Sequence, residues 1–421
     1  MKLTTYEQEM LDGRHGDMKQ KAMQVLYDLS AFYDVEEFVE VVLCHDDSTV
    51  YAGEAQVAFT EYLAEQGAKF SVPTTTNATA CDLNKWSQQK HDPEVMSATR
   101  RIEASHVKMG AIPTWSCAPY QTGYQPSFGQ QIASAESNVI CYYNTVIGAY
   151  SNRYAGPLEL LCGIAGRAPY FGLHIPENRL AQGLIILGDD IKQEWFSDPC
   201  MYNLVAYAYG AIVGDRVWAI EGMPKNITNE NLRNMCATAA SSGGIALMHI
   251  IGVTPEAQTR EMAFGGKEPK EVVTLHVADL LEAEKQLSNN QNSGNVDIVL
   301  MGCPHYSYAD CQKLEMLFGE RRVHPDSEMW VIISRSTVDR LKDSGLYERL
   351  ISKGIQIYSD GCILEYRSDK LGTKSILSDS GKFCTYCFGM RGIQPVFGNM
   401  CECVETAVSG SLVMEDKPWR K

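Results

Sequence analysis

The sequence lacks a long apolar run. No stretch of its 421 residues approaches the roughly 18 to 20 consecutive apolar side chains of a membrane span, which excludes a helical membrane protein and a membrane partner. It also lacks a signal segment. Met1-Lys2-Leu3-Thr4-Thr5-Tyr6-Glu7 opens directly into a helical pattern, with Thr4 and Glu7 spaced as a capping box, so a cytoplasmic location is expected. Positive charge is scarce: 37 Lys and Arg stand against 52 Asp and Glu, a net charge of −15. Such a surface repels nucleic-acid phosphates and anionic lipid, so no nucleic acid is expected as a partner. There is no low-complexity tract, no internal repeat and no G-x-S-x-G elbow. The last absence leaves a metal-free hydrolase built on Ser134 or Ser137 without support.

Cysteine is abundant by contrast, with 14 residues. Thiols stay reduced in a cytosol, so cysteines there are small buried hydrophobes, metal ligands or reactive groups. Cys303, Cys311, Cys362, Cys384, Cys387, Cys401 and Cys403 crowd into the last third of the chain. A zinc ribbon needs two short C-x₂-C knuckles. Only Cys384-Thr385-Tyr386-Cys387 is present there, and it reads as two packed thiols.

The remaining pattern alternates strand and helix, which predicts an α/β protein of more than one domain. Helices are expected through Leu11 and from Met18 to Phe38, strands over 39–47 and 69–77, and a helix over 54–66. Residues 109–130, dense in Gly, Pro, Ser and aromatics, read as a long structured loop, and 134–153 as a helix carrying unusual polar residues. The Asn-rich stretch 282–295 reads as a linker. It divides an N-terminal α/β region, 1–285, with room for two interleaved domains, from a C-terminal domain, 286–421. In the latter, strands over 296–301, 329–334 and 355–360 with intervening helices predict a doubly wound parallel sheet. Ligands of such sheets lie beyond the carboxyl ends of the strands, where "MGCPHYS" (301–307) and "SDGCIL" (359–364) place Cys303 and Cys362. Three cysteines gathered at such ends hold an iron–sulfur cluster with one iron open to substrate, or zinc, or are inert. Four protein ligands would instead suit an electron-transfer protein.

The segments "GCPHYS", "SDGCIL", "SDSGKF" and "FGNMCECVETAVSG", in that order, resemble the large-subunit region of the aconitase X family. So do "PTTTN" (73–77), "PTWSCAPY" (113–120), "SAESNVICYYNTVIGAYSNR" (134–153) and "GRAPYFGLH" (166–174). The resemblance implies an aconitase-like set of three-layer α/β/α domains with parallel or mixed sheets. It implies an iron–sulfur hydro-lyase that dehydrates a small hydroxy acid: cis-3-hydroxy-L-proline, as in bacteria and fungi, or mevalonate 5-phosphate, as in archaea. Carried over by motif, Cys303, Cys362 and Cys403 match the family's ligands, most simply of a [4Fe-4S] cluster, with [2Fe-2S] as the alternative. Cys403 is chosen over Cys401 by its spacing from Phe397. In single-chain members a smaller swivelling domain follows and supplies a serine taken as the base. The present sequence ends at Lys421, which implies that this domain is a separate small subunit.

Dehydration needs a polarised hydroxyl, removal of a C–H proton beside a carboxylate, and stabilisation of the developing charge. Lys382 is the leading substrate-side cation, matching a family position beside Ser380. Arg153 and Arg167 are candidates for carboxylate binding or, equally, ordinary structural cations. Glu136, Ser137 and Asn138 are adjacent polar residues in an apolar segment, either organising a site or capping backbone. His45 sits at a strand end and is either an acid–base group or structural. Thr75, Thr76 and Asn77 are loop donors for a carboxylate or phosphate, or ordinary turn residues. Trp115 and Tyr120 wall a pocket or fill a core. His305 bonds a cluster sulfur or the leaving water, or caps the helix that begins near Ser307.

Overall fold

A computed structural model describes residues 1–288, 296–373 and 375–421. The C-terminal half of the expected linker, 289–295, lies outside the described residues, and its first half is the end of the helix Val277–Leu287. Among the described residues, no helix is long and apolar enough to cross a membrane.

The strands form one small antiparallel pair and three parallel sheets. β1 (Phe38–Glu40) pairs with β5 (Arg167–Pro169). β2 (Cys44–Asp46) lies between β3 (Thr74–Thr76) and β4 (Ala133–Ser134). β6 (Gly183–Leu187), β7 (Trp218–Glu221), β8 (Met248–Ile250) and β9 (Glu271–Leu275) run in the order β8-β7-β6-β9. β10 (Ile298–Tyr306), β11 (Glu328–Ile333), β12 (Gln356–Ser359), β13 (Ile376–Ser378) and β14 (Val396–Phe397) run in the order β12-β11-β10-β13-β14. The protein is thus an α/β fold of several parallel sheets. The strand expected over 39–47 is two, because its first part pairs with β5 and its second with β3 and β4.

The five-stranded sheet shows why its strands read as continuous apolar runs. Side chains alternate between faces with a period of two. Ile298, Leu300, Trp330 and Ile332 enter one core with the helices Cys200–Val213 and Asn229–Gly243. Val299, Met301, Met329 and Val331 enter a second core with Leu314 and Cys403. Both faces are covered, as parallel sheets require.

β10 runs past the expected strand end at residue 301. Its pairing with β11 is regular through Met301↔Val331 and resumes only at Tyr306↔Ile333, so Gly302-Cys303-Pro304-His305 bulges out of register. Gly302 makes the bulge possible. Its φ is +97°, and a Cβ there would lie 2.2 Å from the Ile332 carbonyl oxygen. The helix Tyr308–Phe318 then begins with Ser307 as its cap, in a capping box with Asp310.

The first and third parallel sheets meet carboxyl end to carboxyl end. Thr79 and Gly361 form a parallel bridge, and the Asp82 carboxylate accepts from the Ser359 backbone N–H at 2.8 Å. This seam gathers the site. Gly302→Ala is expected to lower the melting temperature well beyond Gly319→Ala. Both glycines have positive φ, but a Cβ at 319 meets nothing within 4 Å. Equal thermal-melt shifts would show that backbone strain alone, and not the Ile332 contact, sets the cost.

Candidate active site

Three cysteine-bearing loops converge at the seam. Cys303 lies in the β10 bulge, Cys362 follows β12, and Cys117 comes from the loop 109–130 of the first sheet. Cys303 stands within electrostatic reach of Cys362 and of Lys382, while Cys117 stands within reach of Cys303, Glu136 and Lys382. Burial pushes all three thiols up to about 12. Cys117 and Cys362 are partly exposed, whereas most of the other cysteines are buried.

His305 ties the three loops together. Its backbone N–H donates to Cys117 Sγ at 3.3 Å, its Nδ1 meets Ser116 Oγ at 3.0 Å, and its Nε2 meets the Gly361 carbonyl at 3.1 Å. A carbonyl only accepts, so Nε2 carries the proton and Nδ1 accepts from Ser116. Burial lowers its pKa to about 4, which keeps the ring neutral and this pattern intact. Two neighbouring residues hold left-handed backbone, Trp115 at φ 40° and Asp360 at φ 67°. Asp360 is clamped by Arg335 at 2.5 and 3.1 Å. Strained residues of this kind persist where the surroundings over-determine them.

Lys382 faces the same point. It follows Ser380, which caps the helix Gly381–Arg391 and whose hydroxyl donates to the Cys303 carbonyl. Its ammonium is buried and ion-paired with Glu136. Glu136 follows β4 and also caps the helix Ser137–Tyr142, accepting from the Val139 N–H at 2.6 Å. Asn138 Nδ2 donates to the Cys117 carbonyl and to Tyr120 Oη, both at 2.9 Å, and so fixes the Cys117 loop. Ser137 opens the same helix, half-buried.

The threonines are structural at this seam. Thr75 Oγ1 meets His45 Nδ1 at 2.9 Å, and Thr76 Oγ1 accepts from the Trp115 N–H at 3.0 Å, anchoring the segment before Cys117. Burial lowers the His45 pKa to about 3. Its Nε2 lies beside the Asn77 amide without a well-formed hydrogen bond. The Asn77 amide donates to Asp47.

Three expected site residues lie elsewhere. Cys403 is fully buried on the helix Met400–Ser409, beside Asp379, Glu402, Cys384 and Cys401, and helical geometry turns it into the second core. Cys117 stands within reach of Cys303 and Cys362. Arg167 is bonded to Glu7 at 2.9 Å and stacks on Tyr6. Arg153 is exposed at the C-terminal end of the helix Asn229–Gly243, against Gly244. That helix is about 22 Å long at 1.5 Å per residue, and its other end carries Arg233, which bonds the His305 carbonyl at 3.3 Å. The sequence analysis overlooked Cys117 and Asp47. Cys117 lies in a loop with no strand before it, although its motif is visible in "PTWSCAPY"; Asp47 closes the expected strand over 39–47.

Family models for the first, second and third domains of aconitase X match residues 1–177, 184–285 and 296–409. This chain belongs to the aconitase X family. It is 32% identical to cis-3-hydroxy-L-proline dehydratase of Hypocrea jecorina, over 97% of this chain and 69% of that protein. It is 29% identical to the phosphomevalonate dehydratase large subunit of Methanocaldococcus jannaschii, over 96% of this chain and all of that subunit. The crystal structure of Thermococcus kodakaraensis aconitase X in its holo form superposes with a TM-score of 0.86 at 26% identity, covering 97% of this chain and 100% of that one. For this aconitase X chain, His305→Ala is expected to lower the melting temperature by several degrees, since each orphaned buried partner costs about 1–3 kcal/mol. It should also speed labelling of Cys117 and Cys362 by a thiol reagent. Unchanged labelling would mean that the loops are held by other contacts.

Proposed function

We propose that this chain is the large subunit of an iron–sulfur hydro-lyase that dehydrates a small hydroxy acid, cis-3-hydroxy-L-proline, together with a separate small swivelling subunit. The observation that carries this reading is the convergence of Cys117, Cys303 and Cys362 on the Lys382–Glu136 pair. Among the described residues, no three His, Cys, Asp or Glu side chains meet closely enough to hold a single metal ion. The ligands of a cluster bind different irons and need no common point, so this donor set suits a cluster better than one ion. Cys384 also neighbours Cys303, but it stands two residues after Lys382 on the same helix, about 200° around it, and its other neighbours are Cys387 and Asp379. That leaves three thiolates.

A cluster held by Cys117, Cys303 and Cys362 supplies, when bound, a Lewis-acidic iron without a protein ligand, able to polarise the hydroxyl that leaves. The chain's own groups do the rest of the positioning. Lys382 brings a positive charge beside Cys303 and Cys117, where it pairs with the substrate carboxylate as charge develops next to it. Glu136 holds the ammonium in place. His305 and Asn138 keep the thiol loops in register. The base that takes the carbon-bound proton is assigned to the small subunit.

Mevalonate 5-phosphate is the second reading. It is favoured by the match of this chain to the full length of the Methanocaldococcus jannaschii large subunit. Co-expression with the small subunit and anaerobic purification test the proposal. The complex is expected to carry iron and sulfide and to dehydrate cis-3-hydroxy-L-proline. Cys117→Ser should lose most of the bound iron, and Cys403→Ser should keep it. The opposite pattern would return Cys403 to the ligand set, and a wild-type complex free of iron would sink the cluster.

A further inference from the structure

Four carboxylates crowd the carboxyl ends of β2 and β4, and three of them are accounted for. Glu136 is ion-paired with Lys382. Asp46 lies 2.8 Å from His106 Nε2, off the line of a good hydrogen bond but close enough to hold its pKa down. Glu159 is fully buried, and burial raises its pKa well above the usual carboxylate range, which keeps it neutral. Its Oε1 accepts from the Asp47 N–H at 3.1 Å. The fourth is Asp47, which accepts from the Asn77 amide and has no cation of its own among the described residues. It is half-buried, and its electrostatic neighbours are Glu136 and Lys382.

Charge arithmetic follows. Asp47, Glu136 and Lys382 together carry one uncompensated negative charge when all are ionised. Burial and the nearby Glu136 push the Asp47 pKa up to about 7, so its charge is costly until a cation arrives. The other cations near the seam are engaged: Arg233 with Asp310 at 2.7 Å and Arg335 with Asp360. Among the described residues a dianionic phosphate finds no unengaged cation beside Asp47.

We propose that Asp47, oriented by Asn77, is the binding residue for the ammonium nitrogen of an amino- or imino-acid substrate, and that it selects such substrates against phosphorylated ones. The subsite rests on the dehydratase reading for its place beside the reacting carbon. Lys382 takes the substrate carboxylate, and Asp47 takes the nitrogen, so two opposite charges on one small molecule fix its orientation.

The test uses the complex of large and small subunits and two probes of one shape. L-Proline carries the ring ammonium, and cyclopentanecarboxylate lacks it. Calorimetry of the wild-type complex should show L-proline binding at least about tenfold more tightly, a difference of about 1.4 kcal/mol. Asp47→Asn keeps an oxygen for Asn77, and it should erase that preference while leaving cyclopentanecarboxylate binding unchanged. Asp47→Glu should restore part of it. A preference that survives Asp47→Asn, or no preference in the wild type, overturns the subsite. Turnover separates the two readings. Dehydration of cis-3-hydroxy-L-proline with an unchanged KM in Asp47→Asn removes the subsite and leaves the hydro-lyase. An Asp47-dependent L-proline preference in a complex with no dehydratase activity does the reverse.

Discussion

The buried ion pair between Lys382 and Glu136 joins residues 246 positions apart, and the site is arranged around it. Each partner is held by a second structure. Lys382 sits in the first turn of a helix whose cap, Ser380, is bonded to the Cys303 carbonyl. Glu136 is itself the cap of the next helix in the first sheet's region. Breaking a buried pair of this kind costs about 3–5 kcal/mol, because the remaining charge has no replacement partner. The pair thus locks the carboxyl ends of two parallel sheets against each other and sets a cation beside the thiols.

The thiols illustrate a division between holding and reacting. Neutral contacts tie their loops to one another: His305 to Ser116 and Gly361, Asn138 to the Cys117 carbonyl, Thr79 to the Cys362 N–H at 2.8 Å. None of these contacts carries a net charge. These particular contacts therefore persist when thiols become thiolates or an acid is bound. His305, at the centre of these contacts, is itself neutral and buried.

The electrostatics of the first sheet bear on substrate choice. Parallel strands end with their backbone polarity and side chains aimed at one crevice, and here that crevice holds Asp46, Asp47 and Glu136 from adjacent strand ends. Acidic strand ends facing a single lysine favour a zwitterion over a phosphate ester. Relatives with either activity name match nearly the whole of this chain, so discrimination has to come from individual side chains rather than from the fold.

Much of the architecture was legible in one dimension. Continuous apolar runs separated by helical patterns specify a parallel α/β sheet with both faces covered, and they marked β10, β11 and β12, whereas the short β13 and β14 carry too few residues to show a pattern. Cys303 and Cys362 were visible because each follows such a run. Glu136 and Asn138 stood out as adjacent polar residues in an apolar segment that burial has to justify, whereas Lys382 was marked only by its match to a family motif. Other features depended on distance in space. Cys117 comes from an irregular loop whose path is set by Thr76, Asn138 and His305, and no local period encodes it. Cys403 sits in a cysteine-rich motif, yet the 100° step of its helix turns it into the apolar core. Arg167 and Arg153 read equally as anion binders or structural cations, and only the packed structure shows their neighbours, Glu7 and a helix end. Pattern in the chain determines which elements form and which face is buried; which charges meet is decided only when sheets distant in sequence pack end to end.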